Sequence, residues 1–352
     1  MGAQELGPAV GRSGCTERPD PWAPYSGLAR VFSRNRQDMA QGSRASEVPA
    51  RQAFALDQGR RGSAKARCRH ESGKAGVSEM VMSLANIMVS VDLGAEAPRR
   101  VRLAAGLAER FEADLTGVAA RKIPGPGGAG DLREAQARYA EEQGRLVEGL
   151  ANASAIFEAN AGNQVRTDWH QAEAHPAAFL VEQARSADLV VVGRPSPDED
   201  AVADMGVEPG PVLMEAGRPV LVVPPGVEQL RAVRIVVAWK DCPEARRAVI
   251  AALPFIKLAD QVFVASVGGD ARFQGAEEIS WHIARHGAHV TTHLLNAPLG
   301  EVADEILRFA RRQDADMVVM GAYGHSRLRE WLFGGATRHI LQATPACCLM
   351  SH

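Results

Sequence analysis

Two stretches of the chain decide its fold: Ala187–Gly193, which reads ADLVVVG, and Ala315–Gly321, which reads ADMVVMG. Each begins with Ala-Asp, continues through an unbroken apolar run and ends at glycine. Continuous runs of Val, Leu and Met predict strands that are covered on both faces, as in a parallel sheet. The two stretches lie 128 residues apart, which indicates that one structural unit occurs twice in the chain.

A second pair of apolar runs marks the beginning of each unit. These runs are Asn86–Asp92 and Arg234–Lys240, and they lie 148 residues apart. The difference between the two separations means that the first unit carries about 20 additional residues in its middle. We assign them to Arg121–Leu150, a glycine-rich loop followed by a long polar helix.

Strands and helices alternate in both units. Apolar residues at helical spacing follow each first strand, for example Ala104, Leu107, Ala108 and Phe111. Further strands are predicted at Leu115–Ala119, Val262–Val267, Gln164–His170, His289–Leu295, Pro219–Val223 and Ala346–Met350. Strand–helix alternation with right-handed crossovers predicts an α/β fold of two tandem doubly wound parallel five-stranded sheets, with helices on both faces.

The predicted domains are residues 83–226 and residues 230–352. Residues 1–79 contain 13 Lys and Arg against 8 Asp and Glu, with single, scattered apolar residues. We therefore interpret residues 1–82 either as a disordered basic tail or as a mis-extended start, with Met80 or Met82 as the first residue.

The composition excludes several classes of protein. The 352 residues carry a formal net charge of −2, which argues against a nucleic-acid partner. Apolar runs such as Val220–Val223 are far shorter than the roughly 20 residues that span a bilayer, so we expect no membrane association. The five cysteines show no disulfide pattern and no metal-ligand spacing, which favours a cytoplasmic location and no metal site.

A glycine-rich loop follows the fourth strand of the second unit. It reads Gly321-x2-Gly324, then nine residues, then Gly334-Gly-Ala-Thr337 at the start of a helix. Glycines let a backbone approach phosphate oxygens, and a helix N-terminus attracts anions. The loop also contains His325 and the hydroxyl of Ser326. These features predict a site for a phosphate-bearing ligand.

This loop resembles the ligand loop of the universal stress protein family, whose nucleotide-binding members carry Gly-x2-Gly-x9-Gly-Ser/Thr. The resemblance covers about residues 83–352 as two tandem domains. It implies an adenine nucleotide alpha hydrolase-like fold, a stress-response role, and ATP or a related adenine nucleotide bound in the second domain. The implied nucleotide-binding residues are Trp239, Lys240, Val267, Met320, Gly321, Gly324, His325, Ser326, Gly334, Gly335, Ala336 and Thr337.

The sequence departs from the family pattern at two positions. Gly335 stands where Ser or Thr is usual, although Thr337 keeps a hydroxyl nearby. Lys240 stands where many members have an aspartate, which the first unit keeps as Asp92. A carboxylate accepts a hydrogen bond from an adenine amino group and an ammonium does not, whereas a lysine suits a phosphate.

The first unit has lost the loop. Gly193 is followed by two prolines and by acids at Asp198, Glu199, Asp200, Asp204 and Glu208. Because these carboxylates repel phosphate, we expect no triphosphate in the first domain.

Three functions stay open. The first is a regulatory nucleotide-binding protein, in which we identify no catalytic residue and no residue that requires Mg²⁺. The second is a nucleotide-free interaction or scaffold protein, and the third is a slow ATP hydrolase. The closing strands at residues 219–223 and 346–350 are expected to pair within the chain, and a homodimer stays open as well.

Overall fold

A computed structural model describes residues 32–35, 84–125, 131–194, 204–322 and 336–352. The predicted disordered tail or mis-extended start therefore lies outside the described residues, apart from the strand β1 at Phe32–Asn35. The sequence analysis predicted no strand there. Most of the glycine-rich loop, at residues 323–335, also lies outside the described residues.

The first unit contains the strands β2 to β6 and the helices α1 to α4. The strands are β2 (Asn86–Ser90), β3 (Asp114–Arg121), β4 (Thr167–Glu173), β5 (Leu189–Gly193) and β6 (Val220–Val223). The helices are α1 (Ala97–Phe111), α2 (Leu132–Asn160), α3 (Pro176–Gln183) and α4 (Pro209–Glu215).

The second unit repeats this order with shorter connections. Its strands are β7 (Arg234–Ala238), β8 (Gln261–Val267), β9 (Val290–Leu295), β10 (Met317–Gly321) and β11 (Cys347–Ser351). Its helices are α5 (Pro243–Ile256), α6 (Ala276–Ala284), α7 (Val302–Arg312) and α8 (Ala336–Ala343). The α2 helix, with 29 residues against nine in α6, contains much of the additional length of the first unit.

Within the described residues, eleven strands form one sheet in the order β1-β4-β3-β2-β5-β6-β11-β10-β7-β8-β9. Strands pair in parallel inside each unit, which confirms the predicted α/β fold with parallel sheets. The two units meet where β6 pairs antiparallel with β11, with Leu221 opposite Leu349. The closing strands thus pair within the chain, as expected from the sequence.

Two apolar layers cover the sheet. One contains α1, α2, α5 and α6, and the other contains α3, α4, α7 and α8. The strands β5 and β10 are buried along almost their whole length because alternate residues face each layer. Both faces being covered explains why these strands read as continuous apolar runs.

An aspartate connects the first and fourth strands of the first unit. The Oδ2 atom of Asp188, just before β5, accepts hydrogen bonds from the backbone N–H groups of Ala85 and Asn86, at 2.8 and 3.1 Å. These N–H groups lie where the chain enters β2. The carboxylate therefore aligns the beginnings of two neighbouring strands.

The second unit repeats this contact with the aspartate of its own Ala-Asp pair. Asp316 accepts from the N–H groups of Val233 and Arg234, at 3.0 and 3.1 Å, where the chain enters β7. The recurrence explains the aspartate in both quoted stretches. In each unit the carboxylate sets the register between the first and fourth strands.

The third strand of the first unit differs from its predicted position. The sequence analysis placed it at Gln164–His170, but β4 spans Thr167–Glu173 and pairs with β3 from Thr167 onward. Only Trp169 and Ala172 of this strand are buried. Too few of its residues are buried for an apolar pattern to mark the ends of the strand. Its bounds are set by pairing with β3.

Among the described residues, no helix is both long and apolar enough to cross a membrane.

Replacing Asp188 or Asp316 with alanine is expected to lower the free energy of unfolding by about 1–3 kcal/mol, because backbone N–H groups lose their acceptor. Urea denaturation followed by circular dichroism measures the effect. Asp260→Ala, at an exposed aspartate, is the matched control. Equal unfolding midpoints for all three variants would contradict the structural role of these two carboxylates.

Candidate functional site

The carboxyl ends of β7, β8 and β10 lie side by side in the second unit. Ala238 of β7 is aligned with Ala265 of β8 on one side and with Met320 of β10 on the other. The chain moves outward from β7 in one direction through β8 and β9, and in the other direction through β10 and β11. Open parallel sheets bind ligands at such a reversal of strand order.

Gly321 brings the end of β10 against the first turn of α5. A Cβ atom at this position would lie 2.5 Å from the backbone nitrogen of Ala245 and 2.9 Å from Glu244. Only glycine allows this approach. The loop after β10 consequently begins beside the N-terminus of a 14-residue helix, whose partial positive charge favours an anion.

The last residues of the chain hold the exit from β10 in place. The N–H of Ala322 donates to the carbonyl of Ser351 at 2.9 Å, and the carbonyl of Ala322 lies 3.1 Å from Nδ1 of His352. Arg247 of α5 in turn donates to the carbonyl of His352 at 2.9 Å. The starting direction of the glycine-rich loop is therefore set by β11 and α5.

The predicted residues of β7, β8 and β10 divide between the two faces of the sheet. Trp239 is buried in the layer of α5 and α6, where its indole N–H donates to the carbonyl of Gln274 at 2.5 Å. Met320 lies in the opposite layer, and the half-buried Val267 packs against that layer. Lys240, next to Trp239, is exposed.

The remaining predicted residues follow Gly321. Those at Gly324, His325, Ser326, Gly334 and Gly335 lie outside the described residues. Ala336 begins α8, and Thr337 is half-buried in its first turn.

An open cavity of about 550 Å³ lies where β7 and β8 lead into α5 and α6. A carboxylate and a guanidinium form an ion pair at its wall, since Nη2 of Arg246 is 2.5 Å from Oδ1 of Asp241. Arg272 stacks over the ring of Phe273, 4.6 Å from its centroid, and 70% of Phe273 is exposed. The lining residues are Trp239, Asp241, Arg246, Arg272, Phe273, Gln274, Gly275, Glu278 and Ile279.

Sequence reasoning identified only Trp239 of this cavity. The other lining residues come from the connection between β8 and α6, from the first turn of α6 and from the start of α5, which have no recognisable motif. The pair Gly268-Gly269 in that connection was the available signal, because paired glycines mark a loop.

Cys242 lies at the start of α5, close to Asp241. Burial raises the pKa of its thiol, with a smaller contribution in the same direction from Glu244. The thiol is therefore protonated at neutral pH and is a weak nucleophile.

The corresponding end of the first unit is filled by its own side chains. Arg100 of α1 is buried, with Nη2 2.6 Å from Oδ2 of the buried Asp92 and Nε donating to the carbonyl of Ser90 at 2.9 Å. A Cβ atom at Gly193 would lie 2.3 Å from Nη1 of Arg100. The guanidinium thus occupies the point where β2 and β5 diverge.

The second unit has an alanine at the position of this arginine. Ala245 lies 145 residues after Arg100, which is the separation of Phe111 and Ile256 at the ends of α1 and α5. In the first unit a second arginine, Arg121 at the end of β3, also binds two carboxylates, Glu142 at 3.1 Å and Asp204 at 2.8 Å. The charges that could meet a ligand there are paired with one another.

Among the residues that the structure describes, no group of three or more His, Cys, Asp or Glu side chains is arranged to hold a metal ion.

Arg100→Met is expected to lower the free energy of unfolding by about 3–5 kcal/mol, because it leaves the carboxylate of Asp92 buried without its partner. Chemical denaturation of the full chain measures this. Arg99→Met is the control, since Arg99 is the next residue and is 45% exposed in its ion pair. Similar losses of unfolding free energy for both variants would show that the buried ion pair stabilises the fold no more than an exposed one.

Comparison with known proteins divides the chain into the same two units. The model of the universal stress protein family matches residues 84–224 and again residues 233–352. A universal stress protein structure from Archaeoglobus fulgidus is 14% identical, covers 75% of this chain and 94% of that chain, and has a TM-score of 0.57. A putative universal stress protein from Pseudomonas aeruginosa is 19% identical over 76% of this chain and 92% of that chain, with a TM-score of 0.46.

A further Archaeoglobus fulgidus universal stress protein, solved in complex with dAMP, is 23% identical over 39% of this chain and 96% of that chain, with a TM-score of 0.27. No curated protein sequence matches the chain. At these identities the structural likenesses bear on the fold alone. Since the family model matches most of the chain, in two consecutive segments, the chain belongs to the universal stress protein family and carries its domain in tandem.

Proposed function

We propose that the second domain binds ATP or a related adenine nucleotide, and that the protein acts by this binding in a stress response. The observation that carries the proposal is the contact of Gly321 with the first turn of α5. It starts the glycine-rich loop beside a helix N-terminus at the point where the strand order reverses. This is a favourable place for phosphate oxygens.

The phosphates would lie between the glycine-rich loop and the starts of α5 and α8. The first turn of α8 contains Thr337, whose hydroxyl is a hydrogen-bond donor. Lys240 is exposed at the end of β7 and adds a positive charge. Because an ammonium only donates, we assign Lys240 to the phosphates and not to the adenine amino group.

Two places on opposite faces of the sheet could take the base and ribose. One is the 550 Å³ cavity, and the other is the surface formed by Val267 and Met320. The volume is within the usual range for small-molecule sites, about 300–1,000 Å³. The exposed ring of Phe273 offers an apolar surface for a base.

Binding without rapid turnover fits the ionisable groups at this site. Asp241, the acid at the end of β7 beside Lys240, is held in its ion pair with Arg246. The guanidinium thus engages Oδ1, an oxygen that could otherwise accept a proton from an attacking water. We therefore propose a regulatory role, with at most slow hydrolysis of ATP.

A scaffold function without nucleotide is the second candidate. It is favoured by the first domain, where Arg100 and Asp92 fill the corresponding site, and by the single sheet that runs through both units. The two candidates differ in whether the second domain binds nucleotide.

The first test is direct. Purified protein is denatured, and released small molecules are identified by mass spectrometry. A titration with labelled ATP follows, and Gly324→Val combined with Gly334→Val is expected to abolish binding by blocking the approach of backbone to phosphate. Gly125→Val is the control, because a Cβ there meets no atom within 4 Å. Unchanged affinity in the double variant would remove the loop from the site.

A charge variant tests the assignment of Lys240. Lys240→Ala is expected to weaken ATP binding by about tenfold, equivalent to ~1.4 kcal/mol, and to weaken adenosine binding much less. Lys257→Ala, a lysine at the other end of α5, is the control. Equal loss of affinity for ATP and adenosine would place Lys240 at the base and contradict its role at the phosphates.

A further inference from the structure

The strand β9 forms an end of the sheet that is open among the described residues. It pairs with β8 on one side and has no described strand on the other. At the opposite end of the sheet, the corresponding strand β4 is covered by β1, which runs antiparallel to it. The two edges occupy equivalent positions in the repeat, but only one of them has a described partner.

The hydrogen bonds between β9 and β8 show which backbone groups of β9 point away from β8. The carbonyl of His289 accepts from Val262 at 2.8 Å, and that of Leu295 accepts from Gly268 at 3.0 Å. Alternate residues of a strand direct their N–H and C=O groups to opposite sides. Residues 290, 292 and 294 therefore direct these groups toward the open edge.

The sequence of β9, VTTHLL, contains none of the usual features that prevent edge pairing. It has no lysine, acid, proline or glycine, and three of its six residues are β-branched. Leu294 is 51% exposed. Trp281 on the neighbouring helix α6 is 61% exposed, next to Ser280, which accepts a hydrogen bond from Thr292 at 2.8 Å.

In the first unit a helix covers the face of the sheet beside the equivalent edge strand. The position of Thr292 corresponds to Trp169 in β4, which is buried with its ring 5.4 Å from that of Phe157 on α2. The α6 helix, with nine residues, is much shorter than α2 and leaves Thr292 exposed. Among the described residues, the edge that lacks a strand partner lies in the second unit.

We propose that β9 pairs antiparallel with β9 of a second copy of this chain, about a two-fold axis at Thr292. In this register Val290 faces Leu294 of the second copy, and Thr292 faces its own equivalent. The outward N–H and C=O groups of residues 290, 292 and 294 all gain partners. No like charges are opposed, and exposed Leu294 is covered by an apolar side chain.

Two features of this chain support an antiparallel orientation and a second copy as the partner. Its other edge takes an antiparallel strand, β1, and its two units also join through an antiparallel pair, β6 with β11. A self-complementary edge forms a closed dimer, which leaves neither β9 strand unpaired.

The test is the association state of the full chain by sedimentation equilibrium over a range of concentrations. We expect a dimer, and Leu294→Lys is expected to raise its dissociation constant by about tenfold or more, because each lysine faces an apolar Val290. Leu258→Lys is the matched control, since Leu258 is 52% exposed and lies in the turn after α5. A monomeric parent chain, or equal effects of both variants, would overturn the proposal.

A complementary pair tests the register. Val290→Glu is expected to weaken self-association as Leu294→Lys does, and mixing the two variants is expected to restore dimers, since glutamate then faces lysine. Circular dichroism shows whether Val290→Glu, at a half-buried position, keeps its fold. If it does not, Thr292→Pro tests the strand pairing instead, and it is expected to abolish dimers because it removes an outward N–H and spares the bonds to β8.

The other candidate for the open edge is the segment 32–35 of a second copy. Ser33→Pro combined with Arg34→Pro disrupts this segment in the full chain. Dimers that persist in this variant support pairing between two β9 strands. Dimers lost in this variant but retained in Leu294→Lys would overturn it.

Discussion

Both domains depend on the alignment of their first and fourth strands. In each, an aspartate before the fourth strand accepts hydrogen bonds from the backbone that enters the first strand, as Asp188 and Asp316 do. The fourth strand then ends at a glycine, Gly193 or Gly321, against the first helix of the domain. These two contacts hold both ends of the fourth strand at the point where the strand order reverses, which is where a ligand can approach the sheet.

The two domains use this shared arrangement differently. In the first, the buried Arg100 bonds to Asp92 and fills the space beside Gly193, so the fourth strand is held by a side chain. In the second, Ala245 stands at the position of the arginine, and a Cβ atom at Gly321 would lie 2.5 Å from its backbone nitrogen. The end of the fourth strand thus packs against an arginine side chain in the first domain and against helix backbone in the second.

The sequence predicted the repeat, the alternation of strands and helices, and the pairing of the closing strands, because these depend on long apolar runs. It misplaced β4, where only Trp169 and Ala172 are buried. It did not predict β1, whose residues Phe32–Asn35 form no pattern by themselves and gain an edge only from β4. The cavity beside Trp239 was also missed, since its walls come from segments that are distant in sequence.

The amino-acid sequence alone determined that the chain contains two α/β units and that the second has a glycine-rich loop after its fourth strand. Local apolar periodicity and glycine spacing suffice for both, since they act over a few residues. Only the tertiary structure decided that Trp239 faces the opposite layer from Met320, that Arg100 fills the first site, and that β9 is the last of the described strands at its end of the sheet. Those outcomes depend on which strands become neighbours, and strand order is a property of the whole sheet.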